Sequence, residues 1–216
     1  MTVLKFVAHS YRVLKIANRF GWLPAARYTN LRDVRRFERL GFLDIDWKDY
    51  KFEQHLRAAR DTKPLITVAR DVEKMRNLPA ILDEAFELLQ HATHVVIVPK
   101  DVKLENELEH IIPTEFLLGY SVPTCYGGTK LSISAFKRPI HLLGGRPDVQ
   151  RRLAEKANVF SIDCNRFTLD AAFGDYFDGN LFRPHPRGGY EQCIRDSLKN
   201  MNRIWRSYPN HNHTNR

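Results

Sequence analysis

One stretch of the sequence, residues 139–167, constrains the fold more than any other. An apolar run at 140–143 ends in two glycines, and a second apolar run at 159–162 ends in Asp163. The segment between them has its apolar residues at helical spacing. This order is typical of a strand–helix–strand unit in a parallel α/β protein. Such proteins place their chemistry at the C-terminal ends of the strands, so we expect Asp163 to belong to a functional site.

Short apolar runs of β type recur along the whole chain, with helical segments between them. They lie at residues 3–8, 42–45, 65–69, 94–98, 116–119, 140–143 and 159–162, with a weaker one at 173–177. A spacing of roughly 20 to 25 residues is typical of βα units. No GxGxxG motif follows the first run, which disfavours a doubly wound sheet. The sequence therefore predicts a compact α/β fold, a (β/α) TIM-type barrel that is either complete or incomplete.

The domain organisation expected from the sequence is simple. No low-complexity linker or shift in composition divides the chain, so we predict a single domain over residues 1–208 and a polar tail over 209–216. Residues 22–29, which contain Pro24, are predicted to be irregular. Residues 190–205 are predicted to form a closing amphipathic helix.

The net charge narrows the class of partner. The chain has 216 residues, of which 34 are Lys or Arg and 25 are Asp or Glu, giving a formal net charge of +9. This charge predicts an anionic partner, with nucleic acid first. The three cysteines are far apart, which indicates a reducing, cytoplasmic location rather than a disulfide framework. No Cys/His cluster has zinc spacing, and no apolar run approaches the roughly 20 residues of a membrane span, so we expect no metal, no cofactor and no membrane contact.

Carboxylates fall where the predicted strands end. Asp44 and Asp46, Asp71, Asp101 and Asp163 each lie at or just past the end of an apolar run. Closing the strands into a barrel would bring these positions to one rim. Paired carboxylates there can divide the nucleophile and acid/base roles of glycosyl transfer. Alternatively, a set of carboxylates can hold a divalent metal or accept hydrogen bonds from a guanine-like base.

Two of these carboxylates have a purely structural alternative. Asp71 and Asp101 each open a predicted helix, and Asp is a preferred N-cap, worth about 1 kcal/mol. No helix is predicted directly after Asp163. Asp44 and Asp46 lie close together near the end of one predicted strand, and we expect one to point into the barrel and the other outward. An inward carboxylate at a strand end is costly unless it has partners or a function.

Two glycine-containing loops offer further candidate contacts. Gly144, Gly145 and Arg146 precede a predicted helix, where backbone N–H groups could receive a phosphate or simply form a tight βα turn. Tyr126 stands at the tip of the loop 123–129, where it could stack on a base or be part of a flexible segment.

Three motifs carry a resemblance to a known enzyme family. FLLGYSV (116–122) resembles a glycine-containing strand that ends in a Ser-Val step, HLLGGRPDVQRRL (141–153) resembles an LxGxGTPxDL segment, and VFSIDCNR (159–166) resembles an FDCxxPTR segment. In this order they resemble the tRNA-guanine transglycosylases and their phage and archaeal DNA-modifying relatives. The stretches ARYTNLRDVR and GFLDIDW are also similar to a group of uncharacterised archaeal and viral proteins.

The resemblance implies a base-exchange reaction in which guanine leaves a nucleic acid and a 7-deazaguanine base enters. By this resemblance Asp163 would be the nucleophile. Asp44, at the position of the family's DSGGF aspartate, would be the general acid/base. The residues expected to bind the base are Asp71, Gly119, Tyr120 and Ser121.

Departures from the family pattern refine this expectation. DSGGF is replaced by Asp44-Ile45-Asp46-Trp47, so Asp46 is a second candidate for the acid/base role. A Gln-Gly-Gly strand end is replaced by Pro99-Lys100-Asp101. The zinc cluster and RNA-binding domain of the tRNA enzymes have no counterpart, which favours DNA over tRNA as the substrate. The residues expected to hold phosphates around the rim are Lys100, Arg146, Arg166, Arg183 and Arg187.

The sequence thus predicts a small base-exchanging pentosyltransferase. It would flip its target base into the barrel mouth and pass through an aspartyl-glycosyl intermediate. The expected partners are DNA or, alternatively, tRNA, a free 7-deazaguanine base, and a second copy of the chain or a partner protein. Two other functions stay open at this point, a metal-dependent phosphoesterase that uses the same acids and a nucleic-acid-binding module without activity.

Overall fold

The computed structural model describes residues 2–125 and 127–208, which contain a closed barrel of eight parallel strands. The strands are β1 (Leu4–Ala8), β2 (Leu23–Arg27), β3 (Phe42–Asp44), β4 (Ile66–Val68), β5 (His94–Ile97), β6 (Leu117–Ser121), β7 (Ile140–Leu143) and β8 (Val159–Asp163). β1 closes the barrel by pairing with β8, where Phe6 lies opposite Asp163. The prediction of a TIM-type barrel is confirmed, and the barrel is complete.

Helices and short 3-10 turns connect the strands on the outside of the barrel. The helices are α1 (Tyr11–Asn18), α2 (Phe52–Thr62), α3 (Leu78–Leu89), α4 (Leu108–Ile111), α5 (Pro147–Leu153), α6 (Arg166–Ala171) and α7 (Tyr190–Arg206). The predicted closing helix is confirmed as α7, which buries Ile194, Leu198, Met201 and Trp205. In the described part of the chain, every helix is too short or too polar to cross a bilayer.

β2 contradicts the prediction that residues 22–29 are irregular. Pro24 lies inside this strand, but at a position where pairing with β3 has not yet begun. The first pair between the two strands joins Ala25 to Phe42, and the carbonyl of Pro24 accepts a hydrogen bond from the N–H of Gly41 at 2.8 Å. The missing N–H of the proline therefore falls outside the β2–β3 ladder, where proline is tolerated.

The weak run at 173–177 is not a barrel strand. Its last part forms β9 (Asp175–Phe177), which pairs with β10 (Phe182–Pro184) in a separate antiparallel sheet. This small sheet packs against α6 and α7. The eighth barrel strand is thus β2, near the start of the chain, rather than the run near its end.

A layer of ring side chains fills the barrel below its mouth. The Phe6 and Phe42 rings lie 5.8 Å apart, the Phe42 and His141 rings lie 4.8 Å apart, and all three side chains are buried. Gly119 belongs to the same level, where a Cβ atom would come within 2.6 Å of a valine methyl group on β5. The interior is therefore closed at this level. Side chains two residues further along the strands, such as Asp44, reach the mouth.

Candidate active site

A cavity of about 690 Å³ opens at the C-terminal ends of β3 to β7. Sites for small molecules usually span about 300–1,000 Å³, so this cavity can hold one base. Its polar lining residues include Asp44, Asp71, Asp101, Lys100 and Ser121. Asp163 borders the cavity through Gly144, which is itself a lining residue. Four of the five strand-end acids, Asp44, Asp71, Asp101 and Asp163, therefore lie in or beside this cavity, and Asp46 is not a lining residue.

Asp44 is a partly buried carboxyl group at the end of β3. Its Oδ1 accepts a hydrogen bond from the N–H of Ile45 at 2.9 Å. Burial, followed by repulsion from the negative charge of Asp163, raises the pKa of Asp44 to about 7. Asp44 therefore exchanges its proton close to neutral pH, which is the property required of a general acid/base.

Asp163 stands at the end of β8, close enough to Asp44 for its charge to raise the pKa of that residue. Its Oδ1 accepts a hydrogen bond from the N–H of Gly144 at 2.8 Å. The Nε2 atom of His141, a side chain buried inside the barrel, lies 3.4 Å from the same oxygen. These contacts orient the carboxylate and leave its side chain 15% exposed. A helix, α6, does follow Asp163 after a gap of two residues, contrary to prediction.

The His141 ring is held by a second contact below the carboxylate. Its Nδ1 lies 2.7 Å from the hydroxyl oxygen of Ser161, and both side chains are fully buried. The ring therefore contacts Ser161 through Nδ1 and faces Asp163 with Nε2. His141 was not singled out in the sequence, because one buried histidine on a strand gives no signal of what it contacts.

The β7–α5 turn is built around its two glycines. Gly144 and Gly145 adopt φ values of 61° and 83°, a region that favours glycine, and a Cβ on Gly145 would meet Val122 at 2.4 Å. The N–H of Gly144 is already bonded to Asp163. Gln150 fixes the turn from below, because its Nε2 donates to the carbonyls of both Gly144 and Asp163. These contacts support the tight-turn alternative over a phosphate-binding one.

Asp71 and Lys100 form an ion pair inside the cavity. The Lys100 Nζ lies 2.5 Å from Asp71 and 3.5 Å from Glu73. Burial raises the pKa of Asp71, and the charge of Lys100 opposes that rise. Among the described residues, the turn Met75–Asn77 that follows Asp71 has Lys74 rather than Asp71 at its N-cap, whereas Asp101 caps the turn Val102–Leu104 and accepts from the N–H of Lys103 at 3.1 Å. Lys100 therefore points into the cavity, away from the outer rim where a phosphate contact was predicted.

The other predicted base-binding residues are divided between two faces of β6. Ser121 lines the cavity. Tyr120 points the opposite way, where its ring packs 5.3 Å from Phe136 and its hydroxyl lies 3.5 Å from the carbonyl of Leu131. Gly119 lies below the cavity in the packed layer. The structure thus brings Ser121 to the site and leaves Tyr120 outside the barrel, because neighbouring strand residues face opposite sides.

The four arginines predicted to hold phosphates are exposed, but three of them have acidic partners. Arg146 donates to Asp148, Arg166 makes two hydrogen bonds to Asp170 at 2.6 and 2.8 Å, and Arg183 pairs with Asp178. Arg187 forms no ion pair with a described residue. The positive charge available for phosphate at these positions is therefore smaller than their number indicates.

Sequence reasoning missed Trp47 and misjudged Asp46. Trp47 lines the cavity with 62% of its surface exposed, and its signal was an aromatic residue three positions after Asp44. Asp46 is not a lining residue; its carboxylate accepts from the N–H of Lys48 at 3.2 Å. Tyr126 and the tail 209–216 lie outside the described residues.

Within residues 2–125 and 127–208, no group of three or more His, Cys, Asp or Glu side chains converges in a way that could hold a metal ion. A family model described as a family of unknown function (DUF6610) matches residues 17–206, which includes β2 to β8 and α7. No curated protein matches the sequence.

Proposed function

The chain belongs to the DUF6610 family, whose function is unknown, and we propose that it is a guanine transglycosylase acting on nucleic acid, DNA ahead of tRNA. It would exchange guanine for a 7-deazaguanine base. The observation that carries this proposal is the carboxyl pair Asp44 and Asp163, in which the pKa of Asp44 is raised to about 7. Two carboxyl groups with divided roles are the requirement for double-displacement glycosyl transfer.

The proposed reaction has two displacements at C1′ of the target nucleotide. In the first, a carboxylate oxygen of Asp163 bonds to C1′ while the bond to guanine breaks, and its electron pair leaves with guanine, which takes a proton from Asp44. In the second, Asp44 takes a proton from the incoming base, whose nitrogen bonds to C1′ and releases Asp163. The two inversions give net retention.

The cavity offers groups that suit a purine-like base. The Asp71 carboxylate can accept from the N–H edge of the base, and Lys100, paired with it, can donate to a carbonyl oxygen. Trp47 and Val102 line the cavity with exposed fractions of 62% and 57% and provide apolar surface for stacking. The net charge of +9 favours a polyanionic substrate.

The proposal is tested by incubating the full chain with labelled guanine or labelled 7-cyano-7-deazaguanine and either DNA or tRNA. We expect label in the nucleic acid, more in DNA than in tRNA, and no loss of incorporation when a chelator is present. Salt-sensitive binding of nucleic acid without incorporation of either base would contradict the proposal and favour a binding module. Activity that disappears with chelator would favour the phosphoesterase.

Replacing Trp47 by alanine should weaken the binding of the flipped base and so slow base exchange. Base–aromatic stacking contributes about 1–3 kcal/mol per base, roughly 5- to 150-fold. We therefore expect kcat/KM for exchange to fall within that range, with recovery in Trp47→Phe. The matched control is Phe173→Ala, because Phe173 is 85% exposed and is not a lining residue of the cavity. Equal effects of the two alanine variants would remove Trp47 from the site.

A further inference from the structure

A second cavity, of about 380 Å³, opens on the barrel rim at the ends of β1 and β2. Its lining residues include Ala8, His9, Ser10, Arg27, Asn30 and Arg32. None of them was predicted to be functional, and Arg27 lies in the segment that was predicted to be irregular. This cavity is separate from the base cavity, with which it shares no lining residue among those described.

The second cavity lies between the two carboxyl groups of the active site. Around the barrel, β8 ends in Asp163, β1 and β2 follow, and β3 ends in Asp44. Arg27 is the register partner of Asp44, and the positive charge of its guanidinium acts to lower the pKa of Asp44. The base cavity occupies the other arc of the rim, from β3 to β7. Asp44 and Asp163 therefore mark the two boundaries between the base cavity on one arc of the rim and the second cavity on the other.

This placement determines where the substrate backbone can go. In the proposed reaction the base occupies the cavity of β3 to β7, and C1′ of its sugar lies at Asp163 and Asp44. The sugar carries its phosphates on the side away from the base. They must therefore leave the site over the arc formed by the ends of β8, β1 and β2, where the second cavity opens.

The polar groups of the second cavity suit a phosphate. Arg27 is exposed and forms no ion pair with a described residue, so its positive charge is available to a ligand. Among the described residues that line this cavity, the one carboxylate, Asp33, is already held by Arg32 at 2.9 Å and by the N–H of Tyr11 at 3.2 Å. A planar guanidinium can bind phosphate oxygens through two parallel hydrogen bonds.

We infer that the cavity at the ends of β1 and β2 is a phosphate subsite, which holds a phosphate next to the exchanged nucleotide and uses Arg27 as its main contact. This inference rests on the proposed function for the direction of the backbone. It moves the principal phosphate contact from the arginines after β7 and β8 to the opposite side of Asp163. The same chemistry serves a DNA or an RNA strand.

The test is the salt dependence of binding by Arg27→Gln, with a short single-stranded oligonucleotide that contains one guanine, in deoxy and ribo forms. The slope of log K against log salt concentration is negative, and loss of one phosphate contact reduces its magnitude by about one. We expect that change between about 50 and 200 mM salt, with the slope preserved in Arg27→Lys. The matched control is Arg57→Gln, on the exposed outer face of α2, which should retain the wild-type slope.

Exchange kinetics provide the second readout. Arg27→Gln should raise KM for the nucleic acid and leave KM for the free base unchanged, because the subsite does not touch the incoming base. A wild-type slope and a wild-type KM in Arg27→Gln would overturn the subsite even if base exchange is observed. Absence of exchange in the wild-type protein would instead overturn the proposed function, while the slope still decides whether Arg27 contacts a phosphate.

Discussion

Asp163→Asn should abolish base exchange, with a loss of about 10⁴-fold or more, as expected when a covalent nucleophile is removed. The amide oxygen of asparagine can still accept the hydrogen bond from Gly144, so the turn between β7 and α5 should be preserved. An amide cannot form the aspartyl ester at C1′. The measurement is incorporation of labelled base, together with denaturing electrophoresis for a protein–nucleic acid adduct, which the wild-type chain should form and Asp163→Asn should not.

The matched control for this variant is Asp61→Asn. Asp61 is an exposed carboxylate near the end of α2, so its neutralisation removes the same charge without touching the rim. We expect wild-type exchange and adduct formation from it. An Asp163→Asn protein that unfolds at the wild-type temperature and still forms an adduct would eliminate Asp163 as the nucleophile.

The fold was largely predictable because most barrel strands are short apolar runs at regular spacing. Seven of the eight strands contain such a run, since a strand in a closed parallel barrel is buried on both faces. β2 was not predictable in this way. Its sequence, Leu23–Arg27, contains Pro24 and two alanines, and only the register with β3 shows that the proline lies outside the ladder.

The carboxylates of the candidate site could be predicted from the sequence, but the roles of its lysine and arginine side chains could not. Strand-end position placed Asp44 and Asp163 among five candidate acids, because all strand ends of a parallel barrel meet at one rim, and the family resemblance assigned their roles. The role of a lysine or arginine depends on its partner, which the sequence does not show. Lys100 turns inward to Asp71, and Arg166 is held by Asp170. Arg27 was not predicted as a candidate residue, because its strand, β2, was predicted to be irregular.

Asp44→Asn should lower kcat/KM for exchange by about 10²–10⁴-fold, the usual contribution of general acid/base catalysis. The wild-type kcat/KM should fall as the pH rises through about 7, because the free enzyme then loses the Asp44 proton that the leaving guanine requires. The variant should lack this dependence. Asp46→Asn is the matched control, and loss of activity in Asp46→Asn with retention in Asp44→Asn would reverse the assignment.

Asp44→Asn should also stabilise the folded protein at high pH. The pKa of Asp44 is raised from 3.8 to about 7 by burial and by the charge of Asp163, so the folded chain binds the proton more tightly than the unfolded chain. The stability of the wild-type protein must therefore fall as the pH rises from about 4 to about 7, by about 1.4 kcal/mol for each unit of pKa shift. Asparagine carries no such cost. Urea unfolding should show that Asp44→Asn is more stable than wild type at pH values above the folded pKa, with the difference in unfolding free energy shrinking toward pH 4. A difference that is the same at both pH values would mean that Asp44 is an ordinary surface carboxylate and unsuited to its proposed role.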